Sequence, residues 1–431
     1  MQQNNHPSFR VAQNYPDYLR YKEIKHNINI SYHGINMADA CAVDLINAIV
    51  VKSEESWYHV ACALLQRVNL KPLRQSFLQY QNVFTYGTIG RKDHEELSHA
   101  IANSVEKGGW VRLEYIYRIN RIISRGLYFW LKVRKLPISF VNRAYLSAKM
   151  AGYSCVVDEL EKEFKGIVLE RKQFIPFCAP ICHEALFTLF FRKMGVRTYC
   201  TFHGMFGRYL HKIANDVVNG ENIHTDYILA FGETPRQDLI TDFCINAERI
   251  KVAGNPKYPY HPIQIKNTYT SALILGGIGL YDNELRELLI EVEKVGKKSN
   301  ITFSLKPHPR SNIQNDGIWR QLKHVRLLDK SQTVQSLFLS NEFDFAITHN
   351  TTAYYESFIY GLKAFRWAKN ENLDFEGLDD RFVDGQQLLK QISRASETPT
   401  EILSQEAEEL LKRVLGYGIN NYNQIINGAL E

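Results

Sequence analysis

No run in this chain is apolar for long enough to cross a bilayer. The strongest, Ala185 to Phe191, stops after seven residues, against about 20 for a spanning helix. Met1 to His6 lacks the charged-then-apolar pattern of a secretory signal. The expectation is a cytoplasmic protein, with room for peripheral contact on the cytoplasmic face of the inner membrane. Cysteines are few, scattered and odd in number, seven in 431 residues. That excludes a disulfide framework and points to a reducing compartment. Cys178, Cys182 and His183 lie close in sequence, but no second cluster completes a zinc ligand set, so no metal and no other cofactor is expected. There is no GxGxxG dinucleotide fingerprint, no fixed-period repeat and no low-complexity tract. Nor is there a strong charge excess: the net charge of +6 is no nucleic-acid signature by itself. It suits an anionic nucleotide substrate or an acidic membrane surface.

What is present is an ordinary globular composition, 45% apolar and 23% charged, in a chain long enough for two domains. Apolar runs of four to six residues alternate with helical periodicities. Asn27–Gly34, Asn82–Gly87, Gly166–Glu170, Arg197–Phe202, Asp226–Gly232 and Ile250–Ala253 read as strands of a first series. A proline-bearing polar stretch, Tyr258–Thr270, reads as a linker. Ser271–Leu275, Ile301–Leu305, Val325–Leu328, Phe345–Thr348 and Lys363–Trp367 form a second series. Such alternation implies an α/β protein with parallel sheets. The expected division is residues 1–260 as an N-terminal acceptor-side domain with an extension, 261–400 as a C-terminal nucleotide-donor domain, and 401–431 as a C-terminal helix.

The most informative stretch is Lys306-Pro307-His308-Pro309-Arg310. It follows an apolar strand, and two prolines stiffen the turn. A lysine, a histidine and an arginine are thus held at the carboxyl end of a parallel strand, where open α/β sheets bind ligands. They suit a phosphate: His308 as donor, Lys306 as point charge, Arg310 as fork. Three further sites fall at strand ends. Thr351 and Thr352 open a helix, with Glu356 one turn on. Hydroxyls and helix-start N–H groups suit an anion, the carboxylate suits the hydroxyls of a ribose, and an ordinary capped helix fits the same residues. Gly276 and Gly277 let the backbone approach a phosphate or sugar, or simply make a tight turn. His203-Gly204, followed by Arg208 and Tyr209, offers a general base for an acceptor hydroxyl, or a buried histidine.

Residues 110–149 carry nine Lys or Arg, one acid (Glu114) and interleaved aromatics. A basic, aromatic helix of this kind can lie on an anionic membrane, line a groove for an acidic polymer, or present a solvated face.

Strand-HG, a GNP turn at Gly254–Pro256, strand-KPHPR and strand-xTTxxxE together resemble the GT-B-fold superfamily of bacterial surface-polymer transferases. These include CDP-glycerol glycerophosphotransferases and the capsule sialyl- and Kdo-transferases. The resemblance covers about residues 155–370. It implies two facing Rossmann-like domains with a cleft between them, His308 at the donor phosphate, Thr351 and Thr352 near the nucleotide, Glu356 on the ribose, and His203 as base on the acceptor side. It favours a CMP- or CDP-linked sugar as donor and a lipopolysaccharide or capsule glycan, free or lipid-linked, as acceptor, in an inverting, metal-independent transfer. Met205-Phe206-Gly207 in place of Thr-Pro, and Asn350-Thr351-Thr352 in place of Ser-Ser, depart from the glycerophosphotransferase pattern. A polyol-phosphate transferase and a nucleotide-sugar 2-epimerase are the alternatives.

Overall fold

The computed structural model describes the chain except residues 1–15, 88–91, 119–121, 203–207, 210–219, 221, 242–244, 259, 278–281, 370–372, 375 and 429–431, and except the side chains of 208, 209, 373, 374 and 420. The chain divides into two compact units. One carries the N-terminal sheet together with residues 415–431; the other spans residues 260–414.

In the first unit, β1 (Asn82–Tyr86), β2 (Gly108–Arg112), β3 (Gln173–Pro176), β4 (Arg197–Cys200), β5 (Tyr227–Ala230) and β6 (Ile250–Val252) form one parallel sheet in the order β2-β1-β3-β4-β5-β6. Helices α1 (Trp57–Leu65), α2 (Ile122–Val133), α3 (Phe140–Phe164) and α4 (Cys182–Lys193) belong to it. Much of the aromatic content is core: Phe77 stacks on Phe191 at 4.5 Å between ring centroids, with Phe164 edge-on to both.

In the second unit, β7 (Ser271–Gly276), β8 (Thr302–Lys306), β9 (Val325–Leu327), β10 (Phe345–His349), β11 (Lys363–Trp367) and β12 (Arg381–Phe382) run parallel in the order β9-β8-β7-β10-β11-β12. Renumbered within the unit, that is the Rossmann order 3-2-1-4-5-6. The alternation of β7 explains why both faces are covered. Ala272 and Ile274 pack on Leu285, Leu288, Leu289 and Val292 of a helix, α5 (Asp282–Gly296). Leu273 and Leu275 face the other way, onto Leu337, Phe338 and Leu362. Each such leucine contributes about 1.5–3 kcal/mol by leaving water. The remaining helices of the argument are α6 (Ala353–Ile359), α7 (Thr400–Val414) and α8 (Asn420–Gly428).

Several expectations are corrected. Asn27–Gly34 is not the first sheet strand. Ser31–Tyr32 and Ile35–Asn36 make a small hairpin whose two turn residues, His33 and Gly34, both have positive φ, as a tight two-residue hairpin needs. Gly166–Glu170 is loop; the strand begins at Gln173, after a turn at Arg171 with φ 61°. The C-terminal stretch 401–431, expected as a helix with its charged amphipathic part at 400–415, holds that helix as α7 and a second one, α8, separated by Gly416 and Gly418, both at positive φ. The second piece, α8, joins the first unit: Tyr422 is fully buried and donates to the Gly254 carbonyl at 2.9 Å. The Asn82 amide donates to Asn427 and the Gln173 amide to the Ile426 carbonyl. The basic stretch 110–149 is β2, a short strand at Tyr115–Tyr117, α2 and the start of α3, not one helix. No helix among the described residues is long and apolar enough to cross a membrane.

Candidate functional site

Three neighbouring strands of the second unit, β8, β7 and β10, end together. Leu275 of β7 lies level with Lys306 of β8 and Thr348 of β10, and Gly276 level with His349. Strand spacing is about 4.8 Å, so Lys306 and Thr348 bracket β7 at about 10 Å. The sheet reverses its strand order between β7 and β10, and such a switch point opens a crevice at the carboxyl ends. The Gly276-Gly277 pair, the Lys306–Arg310 loop and the His349–Thr352 turn all sit at these ends.

The Lys306–Arg310 loop is fixed by residues distant in sequence. Ser311, fully buried, donates from Oγ to Asp282 Oδ1 at 2.6 Å, and the Asn312 N–H donates to Asp282 Oδ2 at 3.1 Å. The Ser311 N–H reaches back to the His308 carbonyl at 2.9 Å, and Lys330 Nζ donates to the Ser311 carbonyl at 2.9 Å. The Arg310 N–H donates to His308 Nδ1 at 3.0 Å. That bond leaves Nδ1 as acceptor, so the neutral ring carries its proton on Nε2. His308 is half-buried and Arg310 exposed. Lys306 differs from its expected role as an open point charge: it is 4% exposed, and its Nζ turns back onto the Pro307 carbonyl at 2.7 Å. Burial, and then repulsion from Lys330, lowers its pKa. Lys306 therefore braces the loop from beneath, while Lys330 adds a cation the sequence reading missed.

At the end of β10, His349 is fully buried, and burial pushes its pKa down to about 4. The Asn350 amide lies 2.9 Å from its Nε2, which suits a neutral ring. Asn350 takes φ 51°, a left-handed turn that asparagine tolerates. The helix-start anion site expected at Thr351-Thr352 is altered. Thr351 Oγ1 accepts from the Ala353 N–H at 3.3 Å, and the Tyr354 and Tyr355 N–H groups bond the Thr351 and Thr352 carbonyls. These donors are engaged within the turn, and α6 has only seven residues, too short for a strong dipole. Thr352 is exposed and makes no side-chain cap bond, and Glu356 is half-buried in the first turn. Gly276 serves packing as well: a Cβ there would meet Leu285 at 2.9 Å, so glycine lets α5 close onto the strand end.

Helix α6 is held by a buried charge network. Asp380, fully buried, accepts from Arg366 Nε at 2.8 Å and from the Tyr354 hydroxyl, with Lys363 Nζ 3.8 Å away. The Tyr354 hydroxyl accepts from the Leu378 N–H, and the Tyr355 hydroxyl donates to the Glu376 carbonyl. Nothing in the sequence spacing marks this network. A depression lined by Lys363, Asp379, Arg394, Glu406 and Arg413 adjoins the amino end of β11, away from the loops above.

His203 and Gly204 lie outside the described residues, and Arg208–Tyr209 forms a two-residue strand. Among the described residues no three His, Cys, Asp or Glu side chains cluster as metal ligands do. Cys178, Cys182 and His183 form no such set. His183 is instead a core residue whose pKa burial depresses to about 3.

His183 and His349 make stability pH-dependent. From about pH 6.5 down toward 4, the unfolded chain takes up protons that the folded chain refuses. Stability is then expected to fall as pH drops, by about 1.4 kcal/mol per pH unit for each histidine. Urea midpoints at pH 7 and pH 5 test this, and His349→Asn should shrink the difference. Equal midpoints for the unmodified protein would contradict the two buried neutral rings.

No protein-family model matches the chain, and no curated protein matches it. Solved structures similar to it include UDP-GlcNAc 2-epimerase from Neisseria meningitidis bound to UDP-GlcNAc, at 14% identity and TM-score 0.45, over 81% of this chain and 99% of that one. The lipopolysaccharide outer core galactosyltransferase WaaB is similar at 11% identity and TM-score 0.48, over 81% and 99%. An S. aureus TarM mutant in complex with UDP is similar at 14% and 0.42, over 64% and 59%. The two parallel six-stranded sheets and the 3-2-1-4-5-6 order of the second stand on the strand pairings themselves.

Proposed function

We propose that this chain is a glycosyltransferase that moves a sugar from a nucleotide-activated donor, cytidine-linked by preference, to a growing bacterial surface glycan of the lipopolysaccharide or capsule kind. One observation carries the reading. At the switch point of the second sheet, a histidine with its proton fixed on Nε2, an exposed arginine, a glycine pair and a threonine-led helix bearing Glu356 converge from adjacent strand ends.

In this reading the acceptor hydroxyl attacks the anomeric carbon as the bond to the donor phosphate breaks, with inversion. Negative charge grows on the leaving phosphate. His308 Nε2–H and Arg310 offset it, with Lys330 and the buried Lys306 adding positive potential behind them. Glu356 accepts the ribose hydroxyls and Thr352 offers its hydroxyl to the nucleotide. His203 takes the acceptor proton. Side chains supply the positive charge that a divalent ion would otherwise bring, so the transfer is proposed to run without metal. The Met205-Phe206-Gly207 segment, in place of Thr-Pro, favours a sugar over glycerol phosphate as the group moved.

A thermal-shift panel of CMP, CDP, UDP and GDP tests the donor side. A ligand at 100 times its Kd stabilises by about 2.7 kcal/mol, so CMP or CDP should raise the melting temperature by several degrees. His308→Ala should diminish that rise. No shift with any of the four nucleotides would sink the transferase reading, and a shift with UDP alone would remove the cytidine preference.

A further inference from the structure

Helix α2 is apolar on two sides. Ile122, Phe129 and Val133 are buried against the first unit. On the opposite side Ile123, Leu127 and Leu131, four residues apart, are 83%, 61% and 53% exposed. Amphipathic helices bury one stripe and wet the other, so a second aliphatic stripe open to solvent needs a further partner. The stripe does not stand alone. Trp57, at the start of α1, and Phe140, at the start of α3, are both more than half exposed, with ring centroids 6.1 Å apart, and Trp130 of α2 meets Phe140 at 5.2 Å.

On α2 and just beyond it the charge is positive. Lys132, Arg134 and Lys135 are exposed at the end of α2, and no acid occurs between Glu114 and Asp158. Other cations of this segment are already used: Arg125 pairs with Asp158, and Arg118 lies 3.7 Å from Glu159. From the neighbouring turn, Glu55 lies 2.5 Å from His59 Nδ1, and Glu54 is exposed on the approach to α1, so two acids stand at the Trp57 edge of the face.

We propose that this face of α2, flanked by Trp57 and Phe140, docks the protein onto an anionic phospholipid bilayer. A 12-residue helix is about 18 Å long, and a straight aliphatic line along it suits a helix lying in the interface plane. Lys132, Arg134 and Lys135 meet acidic headgroups, and the flanking aromatics match the ring preference of the membrane boundary. The inference is independent of the transferase reading, since it concerns binding alone.

The test is sedimentation of the full chain with phosphatidylcholine vesicles containing phosphatidylglycerol, beside pure phosphatidylcholine vesicles and size-exclusion chromatography. The intact protein should pellet with the anionic vesicles, and less so at high salt. Ile123→Ser/Leu127→Ser/Leu131→Ser should lower the bound fraction by about ten-fold or more. Lys132→Glu/Arg134→Glu/Lys135→Glu should do so independently. Both sets are exposed, so both variants should elute and melt as the parent does. No pelleting of the intact protein would overturn the proposal. So would a parent dimer that the serine variant turns to monomer while vesicle binding stays unchanged.

Discussion

His308→Ala is expected to lower kcat by about 10²–10³-fold, the usual cost of removing one donor aimed at developing negative charge. The reason lies in the ring's fixed tautomer. Because the Arg310 N–H bonds Nδ1 at 3.0 Å, Nε2 carries the proton, and in the proposed transfer that proton meets the leaving phosphate. Donor consumption by the intact protein, with the nucleotide chosen by the thermal-shift panel, measures the effect. His308→Gln is the sharper control, because its longer amide can keep an N–H donor near the Nε2 position and should recover part of the rate. A kcat within two-fold of the parent in His308→Ala would remove His308 from the transfer step and leave the loop as a binding element only.

Asp380→Ala is expected to be the most destabilising single change in the second unit. Asp380 is fully buried and is the carboxylate against which Arg366 and Lys363, themselves 5% exposed each, are balanced. Removing one partner of a buried ion pair costs about 3–5 kcal/mol, because the remaining charge stays desolvated. Gly377 tightens the site further: a Cβ there would meet the Arg366 guanidinium at 2.3 Å, leaving the arginine little space to swing toward water. For a unit of this size the melting temperature should fall by about 10 °C or more. Arg366→Met/Lys363→Met/Asp380→Leu should recover most of the loss, since replacing a whole buried network by apolar groups is often neutral. A shift below about 2 °C in Asp380→Ala would mean that water reaches the network.

Much of the second unit was legible in the sequence. Strands β7, β8, β10 and β11 are short, mostly apolar runs, as strands buried on both faces have to be, whereas Lys363–Trp367 was expected to be the last strand and the two-residue β12, Arg381–Phe382, offered no run to read. The end of β8 could be read because two prolines, a lysine, a histidine and an arginine mark it. What held that loop could not. Asp282 and Lys330 reach it only after β7, β8 and β9 pair in register, a long-range fact that no local spacing carries. The same limit applies to Lys306, whose charge was visible while its burial depended on how the loop folds over it. In the first unit the alternation of Asn27–Gly34 misled, because a two-residue hairpin and a strand share the same pattern until a sheet neighbour decides between them. The 110–149 stretch was legible as basic and aromatic. Which of its cations are matched depended on α3 bringing Asp158 and Glu159 alongside.

The return of α8 to the first unit bears on the order in which the chain can finish folding. Asn82 donates to Asn427, 345 residues later, and Gln173 to the Ile426 carbonyl, 253 residues later. The second unit's sheet is made from contiguous sequence and can close before α8 is added. The first sheet is begun earlier in synthesis, yet its Asn82 and Gln173 side chains wait for partners in α8, which follows the second unit. The unit begun first is thus completed only after the second has formed, and until α8 arrives the core that Tyr422 and Ile426 fill stays open to misassembly.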